Sequence, residues 1–129
     1  EKARLSAAVA WSRWEASTSK LVKNDSLMYE FSNPHFALAF ALIENHYFMN
    51  KGFLEHEKQL LDGIEKIRDI PAVIVQGRYD VVCPMETAYE VSKRWPEASF
   101  EIAQNSGHSA FEKEIVHLLV SATNKFAHN

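Results

Sequence analysis

The chain has 129 residues, of which 47% are hydrophobic, 12% aromatic and 24% charged. That balance supports a packed core of at most one domain's length and excludes disordered and collagen-like chains. Fourteen Lys and Arg against seventeen Asp and Glu leave a net charge of −3, and no block of like charge stands out, which argues against nucleic acid or a membrane surface as partner and favours a small uncharged ligand or substrate. The longest unbroken apolar run, Phe36–Ile43, is far short of the roughly 18 residues of a membrane span. The single cysteine, Cys83, has no internal disulfide partner. A soluble, cytoplasmic protein in a reducing compartment is expected. The chain starts at Glu1 without an initiator Met, which leaves processing or truncation open.

In chain order, Leu5, Ala8, Ser12, Glu15 and Ser19 recur at three- and four-residue spacing, with Trp11 and Trp14 on the adjoining stripe, and predict a helix. A break follows around residues 24–33. Asn33 as cap and Pro34 as first helical residue open a strongly apolar helix to about Phe48, closed by Asn50, Lys51 and Gly52. A short helix is expected over 57–68. Beyond Asp69 the texture changes: Ala72–Val75 is an uninterrupted, β-branched run, the pattern of a strand buried on both faces of a parallel sheet. Pro84 opens a helix presenting Ala88, Val91 and Trp95, with Pro96 just beyond it. Phe100 and Ile102 alternate with polar neighbours as a second strand, and Ile115, Leu118, Leu119, Ala122 and Phe126 mark an amphipathic closing helix. Strand, helix, strand, helix implies a parallel sheet with crossover connections. The expected fold class is therefore α/β, preceded by a helical segment.

Loops beyond the carboxyl ends of parallel strands are where functional groups collect. Here the first strand leads into Gly77-Arg78-Tyr79-Asp80 and the second into Asn105-Ser106-Gly107-His108-Ser109. An Asp and a His thus arrive at the same sheet edge, one strand-helix-strand unit apart. This suits an imidazole base whose second nitrogen is held by a carboxylate. The residues alone favour the plainer reading, in which Asp80 caps a turn and His108 is an ordinary loop histidine.

Four blocks in order carry a family resemblance: Ala10-Trp11-Ser12-Arg13-Trp14-Glu15, Ile43-Glu44-Asn45-His46-Tyr47-Phe48, Ile70 through Pro84, and Gly107-His108-Ser109-Ala110. They resemble segments of bacterial proline iminopeptidases, of the α/β-hydrolase superfamily, whose triad runs nucleophile, acid, histidine. The resemblance covers essentially the whole chain. It implies a helical cap segment over 1–57, the C-terminal part of a hydrolase core over 58–129, and catalytic roles for Asp80 and His108. The family's nucleophilic Ser lies on a Gly-x-Ser-x-Gly elbow, and no two of Gly52, Gly63, Gly77 and Gly107 are four positions apart. The nucleophile and oxyanion-hole segment are therefore expected upstream of Glu1. Neither Cys83 nor Ser109 sits on such an elbow.

The resemblance also implies that Glu15 and Glu44 hold the free α-amino group of the substrate. On a helix Glu44 has Phe40, Ala41, Tyr47 and Phe48 as neighbours, and a desolvated carboxylate needs a partner. Pairing with Lys51 or Arg13, or reaching water, is the open alternative. Trp11, Trp14, Phe36, Phe40 and Phe48 either line a prolyl pocket or form core. The histidines, His35, His46, His56, His108, His117 and His128, show no ligand spacing, so no metal is expected, and no phosphate-binding fingerprint suggests a nucleotide. The expected function is the C-terminal portion of a serine aminopeptidase that releases N-terminal proline from peptides, with no cofactor. Its expected partners are a peptide with a free N-terminal proline and the upstream portion of the same enzyme, with self-association of the isolated chain. The rival is a noncatalytic α/β fragment acting as a binding or assembly module.

Overall fold

The computed structural model describes residues 1–127, so His128 lies outside the described residues. The chain forms two compact units, where its length alone suggests one domain. The first holds Glu1–Thr18 and Val22–His56, and the second holds Ser19–Leu21 with the described residues from Glu57 onward.

The first unit is helical. Helix α1 (Lys2–Ser19) buries Ala8, Ser12 and Ala16, one residue per turn along a single stripe. The expected break contains a short helix, α2 (Asp25–Phe31), whose first turn is closed by the Asn24 side chain accepting from the Leu27 N–H at 2.9 Å. This cap, with Asp25 beside it, stabilises a helix too short for an apolar period to reveal. Helix α3 (Pro34–Met49) starts as expected, with Asn33 accepting from the His35 and Phe36 N–H groups and Pro34 just inside. It ends where Lys51, Gly52 and Phe53 take φ values of 52°, 63° and 61°. Only Gly adopts this left-handed region freely. Phe36 and Phe40 stack, and Phe31 meets Phe36 tilted and Phe40 edge-on, with ring centroids 4.8 to 5.7 Å apart, so α2 and α3 are joined by an aromatic cluster.

The second unit is α/β. The helix expected over 57–68 is instead a single turn, α4 (Gln59–Asp62), then a 3₁₀ turn at Ile64–Lys66. Gly63 separates them, being a poor helix former, and Ile64 turns inward to become buried. Strands β1 (Val73–Gly77) and β2 (Ser99–Ala103) pair in parallel, Val73 opposite Ser99 and Gly77 opposite Ala103. The crossover between them contains α5 (Met85–Arg94), and the closing helix α6 (Lys113–Ala127) packs on both strands. Val73 to Gln76 are only half-buried, short of the two-sided burial that their apolar run predicts. Among the described residues the sheet has two strands, too few to cover its own middle.

Among the described residues the buried apolar side chains are Ala8, Ala16, Ala37, Ile64, Ala103 and Ile115, and the largest fully buried ones are Ser12 and Ser106. No helix among the described residues is long and apolar enough to cross a membrane.

Candidate active site

The ends of β1 and β2 continue as two loops zipped together by their backbones. The Arg78 N–H donates to the Ala103 carbonyl and the Tyr79 N–H to the Ser106 carbonyl, each at 2.9 Å. The approach is possible because position 77 is glycine: a Cβ there would lie 1.9 Å from the Gly107 carbonyl oxygen, far inside van der Waals contact. Backbone pairing and this close approach bring Asp80 and His108 together.

His108 Nδ1 lies 3.0 Å from Asp80 Oδ2. The Asp80 side chain is 7% exposed and that of His108 38%, so the carboxylate is sheltered and the ring reaches the surface. Asp80 Oδ1 accepts from the Val82 and Cys83 N–H groups at 2.9 and 2.8 Å, while Oδ2 also receives the Gln76 amide at 3.4 Å. The carboxylate is thus fixed from several sides, which compensates its burial. A carboxylate only accepts, so the contact places a proton on Nδ1, and in the neutral ring Nε2 is then the acceptor. An imidazole so arranged can remove a proton from a hydroxyl or water placed at Nε2.

The base of α6 holds the histidine loop. Glu114 accepts from the Gln104 N–H at 2.9 Å and the Asn105 N–H at 2.8 Å. The Asn105 and Gln104 hydrogen bonds, outweighing desolvation, keep the Glu114 carboxyl below the ordinary carboxylate range.

In the first unit, Glu15 on α1 and Glu44 on α3 are both half-buried. Glu44 Oε2 accepts from the Trp11 indole N–H at 2.6 Å. The partner is the neutral Trp11 donor rather than Lys51 or Arg13. Trp11 and Phe48, ring centroids 6.4 Å apart, line a groove of about 450 Å³ with Arg4, Leu38 and Asn45. Phe36 and Phe40 belong instead to the aromatic cluster with Phe31, so the aromatics divide between groove and packing. Among the described residues no three His, Cys, Asp or Glu side chains converge as metal ligands.

Three contributors are missing from the expectations drawn from the sequence: Gln76, Glu114 and the Trp11 N–H. Gln76 leaves a signal, as a polar residue ending an apolar strand run. The others depend on which backbone amides and carboxylates the fold brings near them.

A model of the TAP-like protein family matches residues 53–122. The chain is 55% identical over 127 residues to a proline iminopeptidase of Xanthomonas citri, covering 98% of this chain and 41% of that protein. A proline iminopeptidase of Xylella fastidiosa is 54% identical over 126 residues, covering 98% of this chain and 40% of that protein. One from Arabidopsis thaliana is 50% identical over 119 residues, covering 92% and 31%. The chain therefore spans between 31% and 41% of the length of these relatives. Among solved structures, an esterase from Exiguobacterium antarcticum superposes with a TM-score of 0.62 at 20% identity, over 95% of this chain and 47% of that one. This likeness shows the α/β-hydrolase fold.

Proposed function

We propose, since this chain belongs to the TAP-like protein family of α/β-hydrolases, that it is the C-terminal portion of a serine aminopeptidase that releases N-terminal proline from peptides in the cytoplasm. The observation that carries the reading is the 3.0 Å contact between His108 Nδ1 and the sheltered Asp80 carboxylate. The identity to proline iminopeptidases over 98% of the chain supports the substrate class.

In the complete protein, a serine outside the matched segment supplies the nucleophile. His108 Nε2 takes the serine hydroxyl proton as Oγ bonds to the prolyl carbonyl carbon. The tetrahedral adduct then collapses, the C–N bond breaks, and the same proton passes from Nε2 to the leaving amine. Water, deprotonated at Nε2 in turn, releases proline and restores the serine. Asp80 holds the ring and stabilises the imidazolium formed in each half-reaction. Glu44 and Glu15 anchor the prolyl ammonium, so that only a free N-terminus is accepted.

The test is made in the complete protein. His108→Ala and Asp80→Asn each lower turnover by about 10⁴-fold while leaving circular dichroism and thermal melting unchanged, as losses in a serine-peptidase triad run. Near-normal turnover in either folded variant refutes the assignment, and a complete protein with no prolyl-peptidase activity favours a noncatalytic binding or assembly module.

A further inference from the structure

The backbone on both sides of His108 is tethered to the same short segment. On one side, the Ser109 N–H donates to the Ser19 carbonyl at 2.6 Å. On the other, the Gly107 N–H donates to Glu112 Oε1 at 2.6 Å, and Glu112 Oε2 accepts from the Leu21 N–H at 3.3 Å. Glu112 closes the loop on itself as well, its own N–H donating to the Ser109 carbonyl at 3.0 Å. Position 107 is crowded from the same direction: a Cβ there would lie 3.0 Å from the Leu21 nitrogen and 3.2 Å from Glu112 Oε1.

One carboxylate thus bridges two backbone amides, one adjoining His108 and one in the segment that leaves α1. Charge-assisted bonds of this kind are shorter and stronger than neutral ones. Among the described residues the ring of His108 has one hydrogen-bond partner, Asp80, and its direction otherwise follows the backbone at 107–109. A loop free to shift there would swing Nε2 while leaving the fold intact. Among the described residues Glu112 has no hydrogen bond to the His108 ring or to Asp80, so it acts through the loop.

We infer that Glu112 is a positioning residue for His108, holding the histidine loop against residues 19–21 so that Nδ1 stays on Asp80 and Nε2 faces the reacting group. The inference rests on the proposed role of His108 as base. Its consequence is a dependence of turnover, rather than of substrate binding, on the reach of one carboxylate.

Three variants of the complete protein test it. Glu112→Ala removes both bonds and is expected to lower kcat about 100-fold with KM within about twofold, the cost of misplacing a reacting group by about an ångström. Glu112→Gln keeps an oxygen for the Gly107 N–H but turns an NH2 donor towards the Leu21 N–H, so it is expected to recover kcat only in part, to within about tenfold of wild type. Glu112→Asp keeps the charge but is one methylene too short to span both amides, so it is expected to fall with alanine. Should the alanine variant not fold, the aspartate variant carries the same comparison. The ¹⁵N and downfield ¹H spectrum of His108 gives a readout independent of activity: the Nδ1-protonated tautomer persists in wild type and Gln, and is lost or averaged in Ala and Asp. Wild-type kcat and an intact Nδ1–H signal in a folded Ala or Asp variant overturn the inference. If instead His108→Ala retains turnover, it is the proposed function that fails, while the spectrum still reports whether Glu112 orients the ring.

Discussion

Glu44 is satisfied by an indole N–H, a partner without charge. Trp11 occupies one carboxylate oxygen at 2.6 Å and leaves the net negative charge of the group uncompensated by that bond. In the proposed function, a prolyl ammonium would pair with the second oxygen. If Glu44 reads that charge, Glu44→Gln in the complete protein lowers kcat/KM for substrates with a free N-terminal proline by about tenfold to a hundredfold. That range corresponds to the roughly 1.5 to 3 kcal/mol of a hydrogen bond to a charged group. Amine-blocked substrates lose no further factor in the variant, because both changes remove the same pairing. Kinetics of the two substrate types in wild type and variant measure this. An equal loss on both makes Glu44 a support for Trp11 alone.

Where β1 and β2 end, the fold depends on the absence of a side chain. Gly77→Ala puts a methyl group 1.9 Å from the Gly107 carbonyl, and backbone on both sides leaves nothing soft to yield. The substitution is expected to destabilise the second unit by roughly 3 kcal/mol, the upper range for overpacking, as read by chemical denaturation. It also separates Asp80 from His108, so activity falls beyond what stability explains. The junction of β2 with α6 is sensitive to pH through Glu114. Its folded-state carboxyl lies below the ordinary value of 4.5 because the Asn105 and Gln104 N–H groups favour the anion. A depressed pKa contributes stability above 4.5 and loses it as pH falls through the folded-state value. The stability difference between wild type and Glu114→Gln therefore narrows below pH 4.5 and is constant above it, which denaturation curves across that range will show.

The chain buries little of what it could. Among the described residues no large apolar side chain is fully enclosed, while Val22, Tyr29, Phe48, Met49, Val81 and Phe111 are all mostly exposed. Side chains of this kind, exposed in number, mark surfaces that other protein covers. The two-stranded sheet adds backbone to the same account, since each strand has one paired edge and one without a strand partner among the described residues. The isolated chain is expected to self-associate at micromolar concentration and to bind a hydrophobic dye, as light scattering and fluorescence will report. Co-expression with the remaining length of a relative is expected to suppress both. A stable, dye-free monomer would mean that these faces are tolerated in water.

Periodicity and punctuation made the long elements readable before any coordinates. Asn33 and Pro34 mark the start of α3, the β-branched run marks β1, and the spacing of Leu5, Ala8, Ser12, Glu15 and Ser19 marks α1, although its buried face runs through Ala16 rather than Glu15. Each is a local signal, arising from how one residue's side chain meets neighbours three or four places along or its own backbone. The parallel order of the strands followed from the helix between them, and the delivery of Asp80 and His108 to one edge followed from that order. What remained illegible lay in elements too short to show a period, α2 and the turns around Gly63, and in contacts between distant backbones. Nothing local couples Glu112 to Leu21, Glu114 to Asn105, or Trp11 to Glu44. Their pairing depends on where the fold leaves amide hydrogens without a partner, and any nearby carboxylate of suitable reach can satisfy them. The 3.0 Å contact of His108 with Asp80 stands between the two kinds of knowledge. Sequence order brings both residues to the same edge, and only the close approach of Gly77 to Gly107 brings them into contact, because that distance is set by backbone packing across the sheet.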